Sequence, residues 1–262
     1  MTQIAVIAGQ GALAPAIVAA LDNPAVFALE GFEPDIPATP FRLERLVPFL
    51  DHLIDSGITD VVFAGAVRRP RLDPEMFDPR TAQLVPRILA AMQSGDDAAL
   101  RTVLDLFTEH GLNIRAVQDI APDLVPGPGL LTGTPTEADT RDATRAADIL
   151  RATGPLDLGQ GAVVAGGLCL ALETLPGTAA MLDFAARHAD LRGAARGVFY
   201  KAPKPGQDLR IDLPTLGPDS VDQAAAAGLA GIAWAAGGVI LLDRPETIRR
   251  AESAGLFLWA MA

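Results

Sequence analysis

A single cysteine, Cys169, occurs among 262 residues, inside the apolar run VVAGGLCLAL. No disulfide can form within the chain, a cysteine-rich zinc site is excluded, and a reducing cytoplasm is the expected compartment. Histidine is scarce as well. His52, His110 and His188 fall in unrelated amphipathic stretches, so neither a histidine metal cluster nor a serine triad has support. Positive charge is in short supply: 21 Lys and Arg face 32 Asp and Glu, giving a net charge of −11 and a pI near 4.7. A general nucleic-acid binder needs a basic face for the phosphate backbone, so that class is excluded. A phosphate-bearing small molecule needs only a local basic cluster. The opening residues, MTQIAVIAGQG, lack a basic leader and read at once as strand and turn, so no secretory signal is expected.

Long hydrophobic runs are absent with one exception. Ala224 to Leu242, 19 residues without a charge, has the length of a membrane span. It contains Gly228, Gly231, Gly237 and Gly238, lies between Asp222 and Asp243, and has no positive flanks. It therefore reads as a helix end, a short strand, a Gly-Gly turn and a second strand. Repeats and low-complexity segments are missing too.

Half of the residues are hydrophobic, enough for a sizeable globular core. In the first third, QIAVIAG, AVFALE and DVVFAG read as buried strands, with helices at ALAPAIVAALD and FLDHLIDSGI between them. Such alternation implies βαβ units and a parallel sheet. Helices follow at VPRILAAMQSG and DDAALRTVLDLFTEHG, then an extended piece at NIRAVQDI. The Pro-, Gly- and Thr-rich stretch VPGPGLLTGTPTEAD marks a domain boundary near residue 133, which divides the chain into 1–133 and 134–262. The second half reads as helix (TEADTRDATRAADILRAT), strands (GQGAVVAGG, LCLALE), helix (GTAAMLDFAARHA), strand (GVFYKA), and finally strand, helix, strand.

Three constellations carry chemistry. Gly9-Gln10-Gly11-Ala12-Leu13-Ala14, between strand and helix, meets the G-x-G-x-x-G/A pattern, and Glu30 ends the next strand, where an acid can hold a ribose hydroxyl. The same residues also suit a plain tight turn, or a helix N-terminus for the phosphate of another nucleotide. Gly65-Ala66-Val67-Arg68-Arg69-Pro70 follows a strand, at the carboxyl end of a parallel sheet where ligands bind, so Arg68 or Arg69 is a candidate diphosphate contact and a solvated arginine pair is the rival. Asp96-Asp97 most simply cap a helix. The third is KAPKPGQDLRIDLPTLG, residues 201–217, where Pro203, Pro205 and Pro214 stiffen a segment holding Lys201, Lys204, Asp208, Arg210 and Asp212. Lysines suit phosphate, and carboxylates suit Mg²⁺. If residues 208–212 are extended, Asp208, Arg210 and Asp212 share one face; the alternative is a salt-bridge ladder on a strand edge.

Read together, LDLGQGAVV, GLCLALE, GTAAML and above all residues 201–217, with IAGQGALAP, FAGAVRRP and GDDAALRTVLDLF, resemble the LpxI-type UDP-2,3-diacylglucosamine pyrophosphatases of lipid A synthesis, nearly end to end. The resemblance implies an α/β protein with a Rossmann-like N-terminal parallel-sheet domain, a distinct α/β C-terminal domain and a ligand cleft between them. It implies Mg²⁺-dependent hydrolysis, with Mn²⁺ as a substitute, of the lipid substrate to UMP and lipid X. Asp212 takes the central catalytic role, as metal ligand or water-orienting base, with Asp208 as second ligand and Lys201 and Arg210 beside the diphosphate. Substrate contacts are implied for Gly9, Gly11, Ala12, Leu13, Gly65, Val67, Arg69, Gln160, Lys204, Gln207 and Thr215. Leu175-Pro176-Gly177-Thr178-Ala179 stands where an acidic run is expected, so no ligand is assigned there. A cytoplasmic enzyme held peripherally at the inner membrane and able to form a homodimer is expected, with no nucleic-acid partner. A nicotinamide-dependent oxidoreductase and a nucleotide-sugar sensor without turnover are the rival functions.

Overall fold

The computed structural model describes residues 3–67, 70–93 and 96–262, the side chains of residues 96 and 97 excepted. Two compact units divide the chain, Met1–Pro122 and Asp123–Ala262.

The first unit is built on a five-stranded, wholly parallel sheet in the order β3-β2-β1-β4-β5. Its strands are β1 (Gln3–Ala8), β2 (Ala25–Leu29), β3 (Thr39–Phe41), β4 (Ile58–Ala64) and β5 (Asn113–Arg115). Its helices are α1 (Leu13–Ala19), α2 (Leu46–Asp55), α3 (Pro79–Ala82), α4 (Val85–Gln93), α5 (Asp96–Glu109) and α6 (Val117–Ile120). Of the residues read as extended in NIRAVQDI, only 113–115 pair into the sheet, and 117–120 form a helical turn. Helix α2 buries Leu46, Val47, Phe49, Leu50 and Leu53, a stripe at helical spacing that faces the sheet. Phe49 stacks on Phe41 with ring centroids 4.0 Å apart and meets Phe27 edge-on at 5.2 Å. These aromatics therefore gather in one core with Phe63 and Phe107.

The second unit carries a six-stranded mixed sheet in the order β6-β13-β11-β9-β7-β8. Here the strands are β6 (Gly129–Thr132), β7 (Gly161–Ala165), β8 (Leu168–Leu172), β9 (Val198–Lys201), β11 (Gly231–Ala235) and β13 (Phe257–Met261), with a separate parallel pair, β10 (Thr215–Leu216) and β12 (Ile240–Leu241). Strands β9, β11 and β13 run parallel; β6, β7 and β8 pair antiparallel to their neighbours. Helix α7 (Glu137–Thr153) covers one face through Ala143, Ala146 and Leu150. Helices α8 (Gly177–Arg187), α9 (Pro218–Ala226) and α10 (Arg244–Ala254) cover the other through Met181, Leu182, Val221, Ala224 and Ala251. Cover on both faces is why GAVVA and GIAWA are continuous apolar runs rather than alternating ones.

The division falls between Pro122 and Asp123, not near residue 133. Strand β6 pairs with β13, and the Pro126 carbonyl accepts from Gly237 N–H at 3.0 Å, so both belong to the second sheet. The run 224–242 resolves into the end of α9, β11, a turn and β12, as expected. No helix among the described residues is long and apolar enough to cross a membrane.

Candidate active site

In the first unit, the strand order reverses between β1 and β4, the position where open α/β sheets bind ligands. The loops after these strands lock together: Gln10 N–H donates to the Ala66 carbonyl and Ala66 N–H to the Gln10 carbonyl, both at 2.9 Å. A Cβ on Gly9 would lie 2.6 Å from the Ala66 carbonyl oxygen, and one on Gly65 2.7 Å from Gly9 backbone. Loop-to-loop contact is what these two glycines permit. Gly11, Ala12, Leu13 and Val67 flank this bridge, and Val67 is exposed. Glu30, read as a candidate ribose ligand, instead forms an exposed ion pair with Arg42. Arg68, Arg69 and Gly95, and the side chains of Asp96 and Asp97, lie outside the described residues.

In the second unit, the remaining candidates converge on the loop that leaves β9. Period-two alternation puts Phe199 and Lys201 on the same face of β9, so Lys201 points into the core side of the sheet and is 5% exposed. Its Nζ donates to Thr178 Oγ1 at 2.5 Å and to Glu173 Oε2 at 3.4 Å, and the Thr178 hydroxyl donates to the same carboxylate at 3.0 Å. Burial pulls the Lys201 ammonium below the ordinary lysine range, while Glu173 works in the opposite direction. Glycines make room for the carboxylate. A Cβ on Gly161 would sit 2.6 Å from Glu173 Oε2, and one on Gly159 2.1 Å from the Glu173 carbonyl oxygen.

Beyond Lys201 the prolines dock onto other glycines. A Cβ on Gly154 would lie 2.2 Å from Pro205 Cδ, and one on Gly238 3.0 Å from Pro203 Cδ. Lys204 pairs with Asp157, whose backbone is left-handed at φ 57°. Gln207 accepts at Oε1 from Lys204 N–H at 2.8 Å and from Gln160 Nε2 at 2.9 Å, and donates from Nε2 to Asp212 Oδ2. The stiff, charged stretch is thus pinned at Gly154, Asp157, Gln160 and Gly238.

Residues 208–212 are not extended. The N–H groups of Ile211 and Asp212 donate to the Asp208 carbonyl at 3.2 and 3.1 Å, which closes a helical turn and removes the period-two face. Asp208 side-chain oxygens start that turn by accepting from Arg210 N–H at 3.0 Å, and the Arg210 guanidinium clasps the same carboxylate at 2.6 Å. Local capping outweighs the alternating pattern there. Thr215 then opens β10 beside Ile240. No group of three or more His, Cys, Asp or Glu that could hold a metal occurs among the described residues. Glu173, Thr178 and Asp157 are neighbours of the candidate residues that sequence reasoning missed. The only signals for them were an acid ending the apolar run LCLALE and a threonine in the segment 175–179.

Family models for the LpxI N-terminal and C-terminal domains match residues 3–124 and 127–259. The chain belongs to the LpxI family. It is 37% identical to the UDP-2,3-diacylglucosamine pyrophosphatase LpxI of Caulobacter vibrioides, over 98% of this chain and 97% of that protein. The two LpxI domains coincide with the two compact units to within a few residues, so the α/β units are also the units of family descent. Both locked loops of the first unit fall in the LpxI N-terminal domain, and the pinned 201–217 loop in the C-terminal one.

Proposed function

We propose that this chain hydrolyses the pyrophosphate bond of UDP-2,3-diacylglucosamine to UMP and 2,3-diacylglucosamine 1-phosphate, a step of lipid A biosynthesis. The observation that carries the proposal is 37% identity, over 98% of this chain, with an LpxI pyrophosphatase. A pinned loop that concentrates Lys204, Asp208, Arg210 and Asp212 supports it. In this reading a water oxygen bonds to one phosphorus, the bridging P–O bond breaks, and Asp212 orients the water or accepts its proton. Rigid placement matters because phosphoryl transfer is catalysed mainly by positioning and electrostatics.

Asp208 and Asp212 lie one helical turn apart and offer hard oxygens, a donor set that suits Mg²⁺ or Mn²⁺ when diphosphate and water complete the coordination. Such an ion would neutralise charge developing on the diphosphate. Asp208 is already clasped by Arg210, so Asp212 is the principal ligand in this assignment. Lys201, expected beside the diphosphate, is instead buried on Glu173 and Thr178 and is assigned to the base of the loop. The Gly9–Leu13 and Gly65–Val67 loops are assigned to the nucleotide-sugar, and so is Arg69, which lies outside the described residues. The acyl chains hold the substrate in a bilayer, so attachment at the membrane periphery is part of the proposal, as is a homodimer. Incubation with the UDP-lipid and Mg²⁺, read for UMP, tests it. Binding without UMP would favour the sensor, and tight NAD(P) binding the oxidoreductase.

A further inference from the structure

The neighbours of Gln207 impose a direction on its amide. Its Oε1 faces the backbone N–H of Lys204, a group that can only donate, and Gln160 Nε2 reaches the same oxygen. The amide nitrogen is thereby turned onto Asp212, whose Oδ2 accepts from it. Gln207 is 9% exposed, and its own N–H donates to the Lys204 carbonyl at 3.1 Å, so backbone and side chain are both committed to the loop that Pro203 and Pro205 stiffen. A carboxylate that accepts a fixed hydrogen bond is held in one orientation, as outer-layer partners do for metal-binding and catalytic groups.

We infer that Gln207 is a positioning residue for Asp212, not a contact to substrate: the relay Gln160–Gln207–Asp212 sets the direction in which the carboxylate faces the reacting water. The inference rests on the proposed role of Asp212. Residue 207 carries no reacting atom and acts through its neighbour. Gln160 belongs to the same relay because it shares the Oε1 that decides which way the amide points.

Steady-state kinetics of the full chain on UDP-2,3-diacylglucosamine test this with Gln207→Glu, Gln207→Leu, Gln160→Leu and Asp212→Asn. Gln207→Glu keeps the side chain's shape and both accepting bonds, yet it cannot donate to Asp212. Its kcat should fall at least ~10-fold while KM stays within about threefold, the pattern of an interaction used in the transition state. Gln160→Leu should lose less, and the double variant with Gln207→Glu no more than Gln207→Glu alone, because the two act in series. A role confined to holding the loop would leave Gln207→Glu near wild type while Gln207→Leu melts lower, and a substrate contact would raise KM with kcat kept; either result overturns the inference. If Gln207→Leu does not fold, Gln207→Glu and Gln160→Leu carry the test. Wild-type turnover by Asp212→Asn would bring down the role of Asp212 and the relay together. Loss in Asp212→Asn with an unimpaired Gln207→Glu would bring down the relay alone.

Discussion

Replacing Glu173 by Gln removes one negative charge from the most buried ion pair in the candidate site and keeps the size of the side chain. The Lys201 and Glu173 side chains are 6% and 13% exposed, so little solvent screens the pair. Removing one partner of such a pair typically costs about 3–5 kcal/mol, because the other charge stays buried. Lysine can limit the damage by losing its proton. From an ordinary pKa of ~10.4, deprotonation at pH 7 costs about 4.6 kcal/mol at 1.36 kcal/mol per unit, and at pH 9 about 1.9 kcal/mol. These figures cap the destabilisation. The folded state already binds the Lys201 proton less tightly than the unfolded chain does, since burial lowers its pKa. The stability assignable to Lys201 therefore rises with pH between that lowered value and the ordinary one. Without Glu173's charge the folded value drops further. Glu173→Gln should then lose roughly 2–4 kcal/mol at pH 7, by denaturant melts that follow the second unit, and no more than about 2 kcal/mol at pH 9. A deficit equal at both pH values, or one below about 1 kcal/mol at pH 7, would refute the reasoning.

Gly154→Ala places a methyl 2.2 Å from Pro205 Cδ and should displace the loop, lowering kcat at least ~10-fold while circular dichroism stays native. Wild-type kinetics would mean that the loop's position is not critical. Chelation with EDTA should abolish turnover, and added Mg²⁺ or Mn²⁺ should restore it. Full activity in chelator would remove a metal from the proposal.

Local patterns made most of the elements legible. Alternating apolar strands and helical periods identified the parallel sheet of the first unit, and four glycines broke the run 224–242 into short pieces. The domain boundary was displaced because Gly129–Thr132 owes its place to β13, a partner about 130 residues onward that no local pattern reveals. Residues 208–212 alternate like a strand, but Asp208 caps a turn on Arg210, and a side chain two residues away outweighs periodicity. The candidate site stood out in the sequence by its charge. Lys201 and Lys204 are the only lysines in the chain, and both fall in one stiff motif. What they bind was not. Glu173 and Thr178 reach Lys201 through sheet pairing and an α8 contact, and the glycines opposite the prolines look like ordinary loop residues until the loop is folded onto them.

The central claim is tested most directly by incubating wild-type protein and Asp212→Asn with UDP-2,3-diacylglucosamine and Mg²⁺ and measuring UMP and diacylglucosamine 1-phosphate. The wild type should release the two products in equal amounts. Asp212→Asn should bind the lipid but turn it over at least ~100-fold more slowly, as loss of a catalytic base or metal contact requires. Failure of the wild type to release UMP, or turnover by a folded Asp212→Asn within about threefold of it, would contradict the account.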